Sequence, residues 1–313
     1  MKGGTIIEIV DDSSRSCSSS TDRNKKTISI NQFSSKENEL LKFSSIIKII
    51  RLLINHIQQP NKITTIRDIY YQDVNLFEHK QINCKNLLTL IIEESLQWSL
   101  ENDIGIYPSP KGLVYGDWFF QTKNQPTLIP INFQKVLITA NDKDSDRKLL
   151  IVVLEKDAVF QSFVNFLGKS NSTILSNFLI ITGKGYPDKL TQKFLFWLKQ
   201  SFKNTVSVGF FDSDVYGINI YKQYLKYDNS LIYGGVYLIE TDLVNWLQIN
   251  LREITLIINM LKKNSDGDKS SEMWRRELTR GLLLFNKSEM NVIELSNNNS
   301  INDYLIGKIQ SIE

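Results

Sequence analysis

Cysteine and histidine are nearly missing from this 313-residue chain, which has two of each: Cys17, Cys84, His56 and His79. So few soft or imidazole ligands nearly exclude a Cys/His zinc site. Cys17 sits in a serine tract, so no structural disulfide is expected and a reducing intracellular setting fits. No apolar run reaches the roughly 18 residues of a membrane span, because Lys, Asn or Glu interrupts each one. The opening MKGGTIIEIVDDSS has no apolar core, so a secretory signal is not expected. A Walker A loop is absent, which argues against a P-loop ATP engine. Charge of one sign is lacking too. With 37 Lys+Arg against 34 Asp+Glu the net charge is +3, so any DNA-binding surface must be local.

What is present is a 42% hydrophobic composition, enough for a sizeable core, in a length that suggests about two domains. Residues 1–35 contain SSRSCSSSTDRNKK and read as a disordered tail. Ser34 and Glu37 read as a capping box opening a helix. Its apolar residues Leu40, Phe43, Ile46, Ile47, Ile50, Leu53, Ile54 and Ile57 have helical period, and Pro60 stops it. His56 falls near its end, as a cap or surface residue. A second helix starts near Thr65, with Asp68 at its third position and Arg67, Tyr71 and Asn75 along one face. A third covers 86–100. The segments IGIYP (104–108) and KGLVYGDWFF (111–120) read as short strands around a turn. Three helices and a hairpin give a winged helix over 36–140; a generic helical domain is the plain alternative. Tyr70, Phe77, Trp98 and Trp118 read as core or interface aromatics rather than base-stackers.

The charged NDKDSDRK (141–148) marks the expected boundary, and the rhythm then changes. LLIVVL (149–154), FLIIT (178–182) and VSVGFF (206–211) are unbroken apolar runs. Such runs suit strands of a parallel sheet covered on both faces. Helix-length segments at 157–168 and 188–203 separate them, giving a βαβαβ pattern. The expected fold is therefore mixed α/β, with a central parallel sheet flanked by helices over 146–313. Ligands of such sheets bind at the carboxyl ends of the strands. Glu155, Gly183-Lys184-Gly185 and Asp212/Asp214 all occupy those ends. The spacing predicts that three carboxylates converge. Without Cys or His nearby, they suit Mg²⁺, which prefers oxygen ligands. The bland reading of Asp-x-Asp is a solvated turn; its place directly after a buried strand favours the metal. Lys184, with the turn amides, and Lys111 are candidates for contact with DNA phosphate.

The pair Arg67 and Tyr71 suggests the reaction. Four residues apart on a helix, they share a face. A phenol beside a fixed cation can attack a phosphodiester, forming a phosphotyrosine while the guanidinium steadies the phosphate. By itself the pair does not separate a nucleophile from an ordinary surface tyrosine among twelve.

Five ordered motifs do more. RDIYYQDVNLF (67–77), KGLVYG (111–116), VLEKDAVFQ (153–161), ITGKGYPDKLTQKFL (181–195) and DSDVYGINIYKQY (212–224) resemble the A subunit of topoisomerase VI, and most closely its meiotic double-strand-break branch. The resemblance covers roughly residues 40–300. It implies a winged-helix domain with a nucleophilic tyrosine, followed by a Toprim domain that binds Mg²⁺. By motif match Tyr71 is the nucleophile and Arg67 the active-site arginine. Glu155, Asp212 and Asp214 are the Toprim acids, and Lys111 the lysine of the Lys-Gly-Leu motif. The implied reaction yields a 5′-phosphotyrosyl link and makes the double-strand breaks that initiate meiotic recombination. The implied setting is the nucleus, on chromosomes, with no membrane. The implied partners are double-stranded DNA, a second copy of the chain that completes each active site, a B-like subunit that binds ATP, and meiotic accessory proteins. Val215 replaces the usual proline after Asp-x-Asp, and Thr191-Gln192 replaces Thr-Arg. Segment 275–295 reads as helical, with structural glutamates and leucines. Two other readings remain open: a Toprim nuclease or primase-like enzyme without a covalent step, and a DNA-binding scaffold that has lost catalysis.

Overall fold

A computed structural model describes residues 6–11, 26–59, 62–116, 125–133, 148–169, 178–263, 269–293 and 300–312. The chain forms two compact units, Met1–Ser109 and Pro110–Glu313. The expected boundary at 141–148 lies almost wholly outside the described residues.

In the first unit, β1 (Ile6–Asp11) pairs antiparallel with β2 (Lys26–Asn31). The ends of the segment expected to be disordered therefore carry strands. The reason is visible in the β-branched residues of IIEIVD and the alternation of polar and apolar residues in KTISIN. The serine tract between them lies outside the described residues. Helix α1 (Glu37–Ile57) follows, but its cap differs from the expected box. Lys36 is the N-cap, and the Ser34 hydroxyl donates to Glu39 Oε2 at 2.6 Å instead.

Strand β3 (Thr64–Thr65) leads into α2 (Ile66–Tyr71). The predicted start is present: Asp68 N donates to Thr65 Oγ1 and Thr65 N to Asp68 Oδ2. This helix ends at Tyr71, so Asn75 falls in a separate 3₁₀ turn, Asn75–Phe77, rather than on the Arg67–Tyr71 face. The third helix is also shifted. Helix α3 covers Gln81–Leu88 and continues as a wider π-type turn through Ser95. Ile49, Ile69, Phe77 and Leu88 belong to the core of this unit. His56 is neither cap nor surface residue. It is buried, its Nε2 lies 2.7 Å from the Ile104 carbonyl, and its Nδ1 lies 3.2 Å from the Thr64 hydroxyl.

The two short strands expected to form a wing do not pair with each other. Strand β4 (Ile106–Tyr107) pairs in parallel with β3. Strand β5 (Leu113–Tyr115) belongs to the sheet of the second unit, antiparallel to β6 (Thr127–Leu128) and β8 (Phe178–Thr182). All three β5 side chains are buried, which suits a strand inside a sheet and not a solvent-facing hairpin.

The second unit is built on the six-stranded order β10-β9-β7-β8-β5-β6, with β7 (Leu149–Leu154), β9 (Thr205–Phe210) and β10 (Ile232–Gly235). Strands β10, β9, β7 and β8 run parallel. The apolar runs are unbroken because both faces are covered. Leu149, Ile151 and Val153 pack in one core with α5 (Lys189–Ser201) and α6 (Val215–Leu225). Leu150, Val152 and Leu154 pack in the other with α4 (Asp157–Lys169) and, beyond it in the chain, Leu305 and Ile309. The expected helix over 275–295 is shorter. Here α7 is Leu251–Lys263 and α8 is Lys269–Leu284. The chain then enters β12 (Asn286–Lys287), paired with β11 (Leu247–Gln248).

Candidate active-site groups

Local bonds place the tyrosine. The capping box starts α2 where the sequence requires it, and one turn later the helix aligns positions 67 and 71. Arg67 Nη2 donates to Tyr71 Oη at 3.1 Å, and the guanidinium carbon lies 5.4 Å from the ring centre. This bond to the phenol holds the arginine above its ordinary value, so the cation is permanent. Tyr71 is 58% exposed, whereas Tyr70 turns inward between Tyr71 and Phe77, with ring centres 5.2 and 6.1 Å apart. Of the adjacent pair, Tyr71 is the more exposed and the one bonded to Arg67. Phe77 is core, Trp98 is half exposed, and Trp118 lies outside the described residues.

The acids sit in the second unit at the ends of neighbouring strands. Glu155 follows β7, and Asp212 follows β9 by two residues. Asp212 N donates to Glu155 Oε2 at 2.8 Å, which ties the two turns together. The Asp212 carboxylate takes two donors of its own, Met290 N at 2.8 Å on Oδ1 and Lys156 Nζ at 2.9 Å on Oδ2. Lys156 also reaches Glu289 at 3.0 Å. Asp214 is the N-cap of α6, accepting from Gly217 N at 2.6 Å. Val215 is thus the first residue of that helix, a position that suits proline equally, so its departure leaves the carboxylates in place.

Burial shapes the titration. Desolvation, then the Asp212 charge, pushes the Glu155 carboxyl up to about 8. Desolvation likewise raises Asp212 and Asp214, against Lys156 and backbone donors that lower them. The donor set fits a hard divalent cation: it is all oxygen, and crowded negative charge in a desolvated place is what such an ion relieves. Among the described residues no group of three or more His, Cys, Asp or Glu stands in metal-holding geometry. The three acids share a neighbourhood while each rests on donors of its own chain.

The glycine-lysine turn closes the same sheet edge. Gly185 N donates to the Glu155 carbonyl at 2.8 Å, and Lys184 N to Thr182 Oγ1 at 3.1 Å. A Cβ on Gly183 would lie 2.6 Å from Tyr224 Oη and 2.8 Å from Pro187 Cα, so only glycine fits. Lys184 pairs with Asp157 at 3.1 Å. Lys111, expected in a wing, instead follows the second unit's own loop: its N donates to Asp188 at 2.7 Å and its Nζ to the Tyr186 carbonyl at 2.9 Å. Both lysines are engaged by protein acceptors. Sequence reasoning passed over Lys156, although it adjoins Glu155, and Met290 N, which no pattern marks.

Comparison with known proteins agrees with this division. Residues 41–102 match the type IIB DNA topoisomerase model, and residues 150–270 match the Toprim domain model of Spo11 and the A subunit of topoisomerase 6. The chain is 31% identical over 274 residues to the meiosis-specific protein SPO11 of Saccharomyces cerevisiae, covering 74% of this chain and 67% of that one. It is 29% identical over 252 residues to the meiotic recombination protein rec12 of Schizosaccharomyces pombe, covering 74% and 68%. Human meiotic recombination protein SPO11 is 31% identical over 222 residues, covering 66% and 51%. Arg67 and Tyr71 fall in the first matched segment, and Glu155, Asp212 and Asp214 in the second. The chain therefore belongs to the family of Spo11 and the topoisomerase VI A subunit, whose chemistry is type IIB topoisomerase-like DNA cleavage.

Proposed function

We propose that this chain is a Mg²⁺-dependent DNA transesterase that makes the double-strand breaks initiating meiotic recombination. The observation that carries the chemistry is the 3.1 Å bond from Arg67 to the exposed Tyr71 hydroxyl. Tyr71 Oη attacks a backbone phosphorus, the bond from phosphorus to the 3′ oxygen breaks, and that oxygen takes a proton. The tyrosyl proton leaves to solvent or a nearby base. One strand end becomes a 5′-phosphotyrosyl link and the other a free 3′-hydroxyl. Arg67 gives up its bond to the phenol for the phosphate oxygens, keeping its charge throughout.

Glu155, Asp212 and Asp214 hold Mg²⁺ in this reading. Bound there, the ion supplies charge neutralisation on the phosphate and at the leaving oxygen. Lys111 and Lys184 exchange their protein acceptors for DNA phosphate. A second copy of the chain cuts the other strand, each tyrosine working with the acids of its partner copy. A B-like subunit that binds ATP, together with meiotic accessory proteins, assembles with the dimer on nuclear chromosomes. The meiotic names of the relatives support that setting.

The test is to digest the protein after reaction with DNA and Mg²⁺, in the presence of its partners, and to sequence the nucleotide-bearing peptide. It should contain Tyr71. Links that persist in Tyr71→Phe remove the assignment. Free 5′-phosphate ends carrying no peptide replace it with a Toprim nuclease.

A further inference from the structure

The turn that bears Asp212 and Asp214 is held from beneath by a carboxylate outside the matched Toprim segment. Between the two acids stands Ser213, 5% exposed. Its hydroxyl donates to Glu277 Oε1 at 2.6 Å, across 64 residues of chain. The same oxygen accepts Leu238 N at 2.6 Å, and the other carboxylate oxygen is paired with Arg280. Glu277 is 2% exposed and sits on α8, whose Trp274 and Leu278 are core residues of this unit. The carboxylate thus gathers three donors from three separate segments. Next to it, Ser213 N donates to the Ser288 carbonyl at 2.9 Å and Ser288 N returns a bond at 3.2 Å. Two residues further on, Met290 N holds Asp212.

We infer that Glu277 is a positioning residue for the metal-binding acids, acting through Ser213 to fix the direction of Asp212 and Asp214. The inference rests on the reading of those acids as Mg²⁺ ligands. Its physical basis is geometric. A residue between two ligands sets the directions of both, and a turn directly after a strand has few local bonds to fix it. The Ser213 hydroxyl is anchored on a buried carboxylate that Leu238 N and Arg280 also hold, so its acceptor has little freedom to move. Partners that orient ligands in this way commonly change metal affinity by about 10- to 100-fold when removed.

The experiment uses the full chain and reads Mg²⁺ binding by calorimetry, alongside the melting temperature without divalent ions. Ser213→Ala should weaken Mg²⁺ binding about 10-fold, and Ser213→Thr, which keeps a hydroxyl, should restore it. Glu277→Ala should weaken binding at least as much, and adding Ser213→Ala to it should change little more. Asp212→Asn is the control for the metal reading itself. If Asp212→Asn binds Mg²⁺ like the wild type, the metal reading fails and the inference with it. If Asp212→Asn loses binding while both Ser213→Ala and Glu277→Ala bind as tightly as wild type, only the positioning role is overturned. A lowered melting temperature with unchanged affinity overturns the positioning role in the same way. Should Glu277→Ala not fold, Ser213→Ala against Ser213→Thr decides alone.

Discussion

The two sets of candidate groups are built in opposite ways. In the first unit, Arg67 and Tyr71 lie on a six-residue helix, exposed, and their positioning bonds span three or four residues. In the second, Glu155, Asp212 and Ser213 are buried, and their bonds span 57, 64 and 78 residues. The difference fits the proposed roles. A nucleophile that reaches into a large substrate suits a surface mounting with a fixed cation beside it. Carboxylates proposed to share a metal would have to sit close to one another, which costs desolvation and repulsion, and long-range bonds offset that cost.

The largest effect that would break this comparison is at Tyr71. Tyr71→Phe should eliminate protein-linked DNA ends. Because the residue is exposed, its melting curve should overlay the wild type to within about 0.5 kcal/mol. A large drop in stability would mean that the hydroxyl has a structural role. Gly183→Ala should do the reverse, destabilising the second unit by about 1–3 kcal/mol, because the added methyl meets Tyr224 and Pro187. Urea denaturation reads this directly, and an unchanged midpoint would show that the turn yields.

A pH series sharpens the buried side. The Glu155 carboxyl titrates near 8 in the folded chain against an ordinary 4.5. Between those values the unfolded chain has already released a proton that the folded chain retains, so this group's contribution to stability falls as pH rises and is at its worst above 8. In buffer free of divalent ions, Glu155→Gln should therefore melt higher than wild type at pH 9, by about 3 °C or more, and equal to it near pH 4. Added Mg²⁺ should raise the wild-type melting point and leave the variant nearly unmoved. Equal melting at pH 9 would show that the carboxyl is better solvated than its surroundings suggest. The smallest effect is at the helix start. Thr65→Ala removes the hydroxyl that accepts Asp68 N and should cost about 1 kcal/mol. Cleavage should fall several-fold as Arg67 and Tyr71 lose their common frame, and an unchanged rate would detach the cap from function.

The same contrast explains what could be read in advance. Strands β7 and β8 appear at their predicted residues, because an unbroken apolar run permits little else. The Thr65–Asp68 box was legible because both halves lie within one turn. The missed features depend on distant partners. KGLVYG reads locally as half of a hairpin, yet β5 pairs with β8, which only becomes available once the sheet forms. His56 reads as a helix end, yet its ring joins Ile104 to Thr64. The ends of the 1–35 segment were hidden by the serine tract between them.

The sequence by itself determined the motifs, the family and the chemical types of the two sets of candidate groups: a phenol beside a guanidinium, and three carboxylates after apolar strands. These are properties of residues within a turn or a strand of each other, where covalent spacing fixes geometry. Only the tertiary structure decided which tyrosine faces outward, that Lys156 and Met290 N hold Asp212, and that Glu277 lies beneath the Asp-x-Asp turn. Those partners come together because burying a polar group obliges it to find a bond, and in a folded chain the nearest donor is seldom nearest in sequence.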